Sequence, residues 1–258
     1  MAERRGAGAR LRANAERLAV WLLVAALVVT APVGFYLATP ATATPGTVDA
    51  VRADERIEVS RSDGVYALEP ADGDPVAGLV FYPGGHVTAD AYLATLAPLA
   101  ARADVAVYVV EMPLQFAVLD PDAADRVIDA HLGIERWFVG GHSLGGAMAC
   151  RYASTAPDRL EGLVLFAAYC EADRSPEVAT LSVVGSADGV LDRDTYRERL
   201  AVLPPDATLV GIEGMNHSQF GAYGGQPGDD PARIGDAEAR ERLADAVVGW
   251  VTDRLAHS

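Results

Sequence analysis

The run Gly141-His142-Ser143-Leu144-Gly145 sets a serine hydroxyl between glycines, with two more at Gly140 and Gly146. It follows an apolar stretch and opens a segment of helical spacing, the context that a G-x-S-x-G nucleophile turn requires. Glycine is needed at both ends, because flanking side chains would collide in so sharp a turn. The serine then stands at a helix N-terminus, where the Leu144 N–H points at developing negative charge. A serine is a weak nucleophile without a base, and the base needs an acid to orient it. Of the five histidines, His131 ends a helical segment and His257 is at the chain end. His142 adjoins the serine and is expected to line the pocket or to pack. His217, in EGMNHSQFGAYGG, falls in a loop after the last apolar strand and is the expected base. Asp188, in LSVVGSADGVLD, is the expected acid; Asp192 and Asp194 look like helix-start residues, and Glu171 and Asp173 are alternatives. A second oxyanion donor is expected from FYPGGHV: the Gly85 N–H, with His86 as the alternative.

These residues need a frame. Short apolar runs recur at Arg56–Ser60, Val65–Glu69, Ala77–Tyr82, Val105–Val110, Arg136–Gly140, Gly162–Ala167, Thr180–Gly185 and Thr208–Ile212. Segments of helical spacing lie at Ala89–Ala103, Pro121–His131, Leu144–Ala156, Asp192–Leu203 and Asp236–Ala256. The middle strands are uniformly apolar, as when helices cover both faces of a parallel sheet. The alternation predicts an α/β fold with a mostly parallel central sheet. In such sheets ligands bind beyond the carboxyl ends of the strands. Ser143, Asp188, His217 and Gly85 all fall in loops of that kind. Only about a dozen residues separate the sixth and seventh strands, so no large cap domain is expected. Phe220 and Tyr223 could wall the pocket or join the core. Asn216-His217-Ser218 matches a glycosylation sequon, read as coincidence because a glycan there would block the site.

With these residues in view, the chain resembles the α/β-hydrolases, and more specifically the small alpha/beta hydrolase fold-5 family. The resemblance runs from about Glu69 to the C-terminus and is carried by FYPGGHV, EMPLQFAVL, FVGGHSLGGAMACRYA, GLVLFAAY, VVGSADGV and GMNHSQFGAYGGQPGDD. The order Ser143, Asp188, His217 is the order of that fold. The resemblance implies a serine hydrolase of esterase-like character, acting on a small-molecule ester through an acyl-enzyme. Cys170 departs from the small residue or proline expected after AAY. An acyltransferase with the same residues, or a hydrolase-shaped binding protein without turnover, are the alternatives.

Composition narrows the partners. The formal net charge of −15 disfavours nucleic acid, and all 21 basic residues are arginine. An acidic surface without lysine suits salty surroundings, or else reflects a GC-rich genome. No spacing suggests a metal, and no G-x-G-x-x-G suggests a dinucleotide cofactor, so none is expected. Cys150 and Cys170 read as two buried thiols, with a single bridge open if the domain lies outside the cell.

Leu18–Ala38 is 21 residues without a charge, preceded by Arg4, Arg5, Arg10, Arg12 and Arg17. As a helix it would span about 31 Å, the thickness of a bilayer core. Residues 1–17 are therefore expected in the cytoplasm, 18–38 as a transmembrane signal anchor, 39–55 as an extended linker, and 56–258 as an extracellular catalytic domain. Cleavage after Ala41-Thr42-Ala43 would instead make it secreted, and a buried core helix is the third reading. Composition does not fix the oligomeric state.

Overall fold

The computed structural model describes residues 21, 34–172 and 175–257. The chain divides into two units, residues 1–40 and residues 41–258. In the first, Gly34–Ala38 is helical and Thr39 Oγ1 donates to the Phe35 carbonyl at 2.9 Å. Apart from Trp21 and these residues, the expected membrane helix lies outside the described residues. No described helix is long and apolar enough to cross a membrane.

The second unit is built on eight strands: β1 (Ile57–Ser62), β2 (Val65–Pro70), β3 (Ala77–Tyr82), β4 (Val105–Val110), β5 (Trp137–His142), β6 (Gly162–Phe166), β7 (Ala179–Gly185) and β8 (Thr208–Ile212). Their spatial order is β1-β2-β4-β3-β5-β6-β7-β8. β2 pairs antiparallel with both β1 and β4, and every other pair is parallel. The β1–β2 hairpin turns at Asp63-Gly64, both with positive φ (49° and 74°), the backbone that Asp-Gly favours in a two-residue turn. Both faces of the sheet are covered. Leu79 and Phe81 of β3 join one core cluster, while Val80 and Tyr82 join the other, following the period of two.

The helices are α1 (Thr47–Arg52), α2 (Leu93–Ala103), α3 (Ala123–Ala130), α4 (Leu144–Thr155), α5 (Arg193–Arg199) and α6 (Asp236–Ala256). α1, α2 and α6 contribute Val51, Leu96, Leu243 and Val247 to the first cluster. α3 and α4 contribute Val127, Ile128, Met148 and Tyr152 to the second. The expected helix at Ala89 begins instead as a 3₁₀ turn, Ala89–Tyr92, before α2. The extended linker over residues 39–55 is corrected. α1 lies inside it, Val51 is buried, Ala41 bridges Val87, and the Thr44 N–H reaches the Ala222 carbonyl at 2.6 Å. A Thr/Pro-rich composition hides one turn of helix that packing, not propensity, holds. The reading of two free thiols is corrected as well: Cys150 and Cys170 form a disulfide with Cα atoms 5.4 Å apart. Among the described residues no helix lies between β6 and β7.

Candidate active site

The sheet order reverses at β3. The chain runs from β3 to β4 on one side, then returns to place β5 on the other. That reversal opens a crevice beyond the carboxyl ends of the two strands, where open α/β sheets bind ligands. The register pairs Tyr82 with Gly141, so Pro83-Gly84-Gly85 comes to lie beside His142-Ser143-Leu144. Close packing there explains the glycines. A Cβ on Gly145 would lie 2.2 Å from the carbonyl oxygens of Tyr82 and Pro83, and one on Gly141 would lie 2.5 Å from the Gly145 carbonyl carbon. Ser143 takes φ 51° and ψ −121°, a strained backbone for a residue with a side chain. Its N–H is anchored to the Phe166 carbonyl at 2.9 Å, and α4 starts at the next residue.

The loops after β7 and β8 bring the acid and the imidazole together. His217 Nδ1 lies 2.8 Å from Asp188 Oδ2. The other carboxylate oxygen, Oδ1, accepts the N–H groups of Val190 (2.9 Å) and Leu191 (2.8 Å). Burial alone would raise the Asp188 pKa. The hydrogen bond and charge of His217, with the two N–H groups, outweigh it and leave the carboxyl below its ordinary value. An ionised carboxylate makes Nδ1 the protonated nitrogen, so Nε2 carries the lone pair. Nε2 is buried without a hydrogen-bond partner among the described residues. His217 and Ser143 line one cavity of about 240 Å³, walled also by Leu144, Ala147, Ala168 and Leu191. An oriented imidazole beside a serine hydroxyl at a helix N-terminus can support nucleophilic attack on a carbonyl.

The expected oxyanion donors lie at the loop after β3 and the start of α4. The Gly84 N–H donates to Tyr92 Oη at 2.9 Å and the His86 N–H to the Gln115 carbonyl at 2.8 Å. The Gly85 N–H, between them, has no acceptor among the described residues. A Cβ on Gly85 would lie 3.1 Å from Leu144 Cδ2, so this loop touches the start of α4. Leu144 is the first residue of α4, and its N–H has no acceptor within the helix.

Two expected site residues sit elsewhere. His86, the alternative donor, has its N–H spent on Gln115, and its ring stacks on Phe116. His142 is 1% exposed and lies beneath His217 with ring centroids 4.5 Å apart, outside the pocket wall. Phe220, itself buried, stacks on it with ring centroids 5.6 Å apart, and Tyr92 Oη lies 2.9 Å from its Nδ1. Phe220 and Tyr223 are core residues. The Asn216 side chain is occupied, donating to the Asp230 carbonyl at 2.8 Å.

Asp229 was not singled out from the sequence. Its carboxylate accepts the N–H groups of Gly189 (3.1 Å), His217 (3.2 Å) and Ser218 (2.8 Å), joining the loops that carry Asp188 and His217. The Gly-Asp-Asp end of the loop after His217 was its only signal. Among the described residues no cluster of three His, Cys, Asp or Glu could hold a metal.

Residues 78–241, more than half of the chain, match the alpha/beta hydrolase family. The chain belongs to that family. It has an α/β-hydrolase fold with an eight-stranded, mostly parallel sheet. It is similar to a probable proline iminopeptidase of Streptomyces coelicolor, 35% identical over 122 residues, 47% of this chain and 32% of that one. The match thus spans about a third of that relative's length. Among solved structures it is similar to a hormone-sensitive lipase from a metagenome library, with a TM-score of 0.59, 18% identity, and coverage of 81% of this chain and 89% of that one. It is also similar to a monoacylglycerol lipase of Paleococcus ferrophilus, with a TM-score of 0.56, 18% identity, and coverage of 76% and 99%. At these identities the two structures speak for the fold alone.

Proposed function

We propose that this hydrolase cleaves carboxylic esters through an acyl-enzyme on Ser143. The observation that carries the reading is the 2.8 Å bond between Asp188 and His217 beside a cavity that Ser143 shares. Ser143 Oγ attacks the acyl carbonyl while His217 Nε2 takes its proton. The Leu144 and Gly85 N–H groups bind the oxyanion. His217 returns the proton to the leaving alcohol, and Asp188 stabilises the imidazolium in between. Water, deprotonated by His217, then frees the acid and restores the serine. The cavity is smaller than the roughly 300–1,000 Å³ of pockets for drug-sized ligands, which favours a short acyl group. Turnover of p-nitrophenyl acetate, butyrate and octanoate tests this. The two short esters should be cleaved faster, and equal rates for octanoate would refute the size argument.

A second reading has one observation in its favour. Glu171 and Asp192 line the same cavity, which suits an acyl group bearing a free amine. The iminopeptidase relative makes an amide substrate worth testing alongside. Faster release of p-nitroaniline from an aminoacyl anilide than of nitrophenol from the acetate would favour it.

We infer further that the domain works outside the cytoplasm, tethered by Leu18–Ala38. Five arginines before that apolar run support the orientation, and a disulfide between Cys150 and Cys170 suits an oxidising compartment. Protease protection of the C-terminal domain in intact cells would refute it.

A further inference from the structure

Tyr92 ends the 3₁₀ turn before α2 and is fully buried. Its hydroxyl touches both halves of the crevice. It accepts the Gly84 N–H at 2.9 Å and lies 2.9 Å from His142 Nδ1. Gly84 precedes the Gly85 N–H, and His142 precedes Ser143. One buried oxygen thus links the loop after β3 to the turn after β5. The fit is tight, since a Cβ on Gly84 would lie 2.8 Å from His142 Nδ1 and 2.9 Å from Tyr92 Oη.

Proton counting assigns the directions. A phenol has one proton to give. Gly84 N–H uses one acceptor site on the oxygen, and His142 Nδ1 is the other polar atom within hydrogen-bond distance, so the O–H proton is assigned to His142 Nδ1. His142 is then neutral with its hydrogen on Nε2. His142 Nε2 has no partner within hydrogen-bond distance among the described residues, so either tautomer leaves one buried donor unpaired; protonating Nδ1 would in addition aim two N–H groups of like polarity, from Gly84 and His142, at the one Tyr92 oxygen. Burial first, and then the charge of His217, hold the His142 pKa well below its ordinary value, outweighing the His217 backbone, which acts the other way. The groups facing His142 are Tyr92 from the 3₁₀ turn, and His217, Phe220 and Tyr223 from the loop after β8.

We propose that Tyr92 is a positioning residue: its hydroxyl sets the Gly84-Gly85 loop against the Ser143 turn and fixes His142 as the neutral Nε2–H tautomer beneath His217. This rests on the acyl-enzyme reading of Ser143. Its consequence falls on the transition state, because the spacing of the Gly85 and Leu144 N–H groups matters most when the carbonyl oxygen becomes an anion.

The test uses the full-length protein and begins with wild-type turnover of p-nitrophenyl acetate. A folded wild type without turnover sinks the acyl-enzyme reading, a result separate from those below. Given turnover, Tyr92→Phe should lower kcat about tenfold or more with KM within twofold. ¹⁵N spectra of histidine-labelled wild type should show His142 protonated on Nε2 only, and Tyr92→Phe should disturb that signature. As a check independent of folding in Tyr92→Phe, His142→Asn keeps an acceptor facing Tyr92 and His142→Leu removes it. The Asn variant should retain about tenfold more kcat than the Leu variant. Wild-type kcat in folded Tyr92→Phe, a wild-type His142 protonated on Nδ1, or equal Asn and Leu variants would each overturn the proposal.

Discussion

Replacing Asp229 with Ala should damage stability and turnover together. The carboxylate accepts three backbone N–H groups, at 2.8, 3.1 and 3.2 Å, from the two loops that hold Asp188 and His217. A hydrogen bond to a charged partner contributes about 1.5–3 kcal/mol when buried. Asp229 is only half-buried, and water can replace part of what is lost, so about 1 kcal/mol per bond is the appropriate figure. The sum is about 3 kcal/mol, or about 6–12 °C in Tm for a domain of this size. The rate should fall further than stability implies. With the clamp gone the loops can drift, and a displacement of about 1 Å at a reacting group can cost about a hundredfold. Asp229→Asn keeps one acceptor oxygen and should fall between. Thermal melting and p-nitrophenyl acetate kinetics on the three proteins read both effects. An Asp229→Ala protein with wild-type Tm and kcat would refute the clamp, and a loss of Tm alone would refute its link to the site.

Other expectations follow from the same geometry. Gly145→Ala drives a methyl group into two backbone carbonyls, so any folded fraction should lose fluorophosphonate labelling; full labelling would mean the turn can shift at little cost. Reducing Cys150–Cys170, which closes a separation of 20 residues, should cost about 3 kcal/mol, read by urea unfolding with and without dithiothreitol; an unchanged midpoint would count against it. His142 has a folded pKa below its ordinary 6.5, so the unfolded chain takes up a proton that the folded one refuses as pH falls. Stability should therefore drop by about 1.4 kcal/mol per pH unit below about 6.5, until the folded pKa is reached. Asp188, held low, adds a loss only in stronger acid, as pH falls through its folded pKa. His142→Asn should flatten the first slope, and parallel slopes would refute the assignment.

What could be read in the residues and what could not divide along physical lines. The middle strands stood out because uniformly apolar β-branched runs, bounded by turn residues, have few other uses, and the outer ones because short β-branched runs flank them at regular spacing. The Ser143 turn was legible because its glycines answer a local steric need. Asp188 and His217 followed from their places after β7 and β8, since the sheet topology fixes which loops meet. Residues whose role is purely tertiary left no such mark. Tyr92 looks like any aromatic of an amphipathic segment, and only the fold brings its hydroxyl to Gly84 and His142. Asp229 sits in a polar loop where an acid needs no special explanation. His142 adjoins the serine in sequence, yet the alternation along β5 turns it under His217. The pairing of Cys150 with Cys170 depends on how α4 packs against the loop after β6. α1 has too few residues for its periodicity to register.

Everything above turns on Ser143 being a nucleophile armed by His217 and Asp188. The most direct measurement is mass spectrometry of the full-length protein after treatment with a fluorophosphonate, with peptide mapping of the adduct. A single adduct on Ser143 is expected, absent from Ser143→Ala and strongly slowed in Asp188→Asn. A folded wild type that takes no label, or a label that persists in Ser143→Ala, would contradict it.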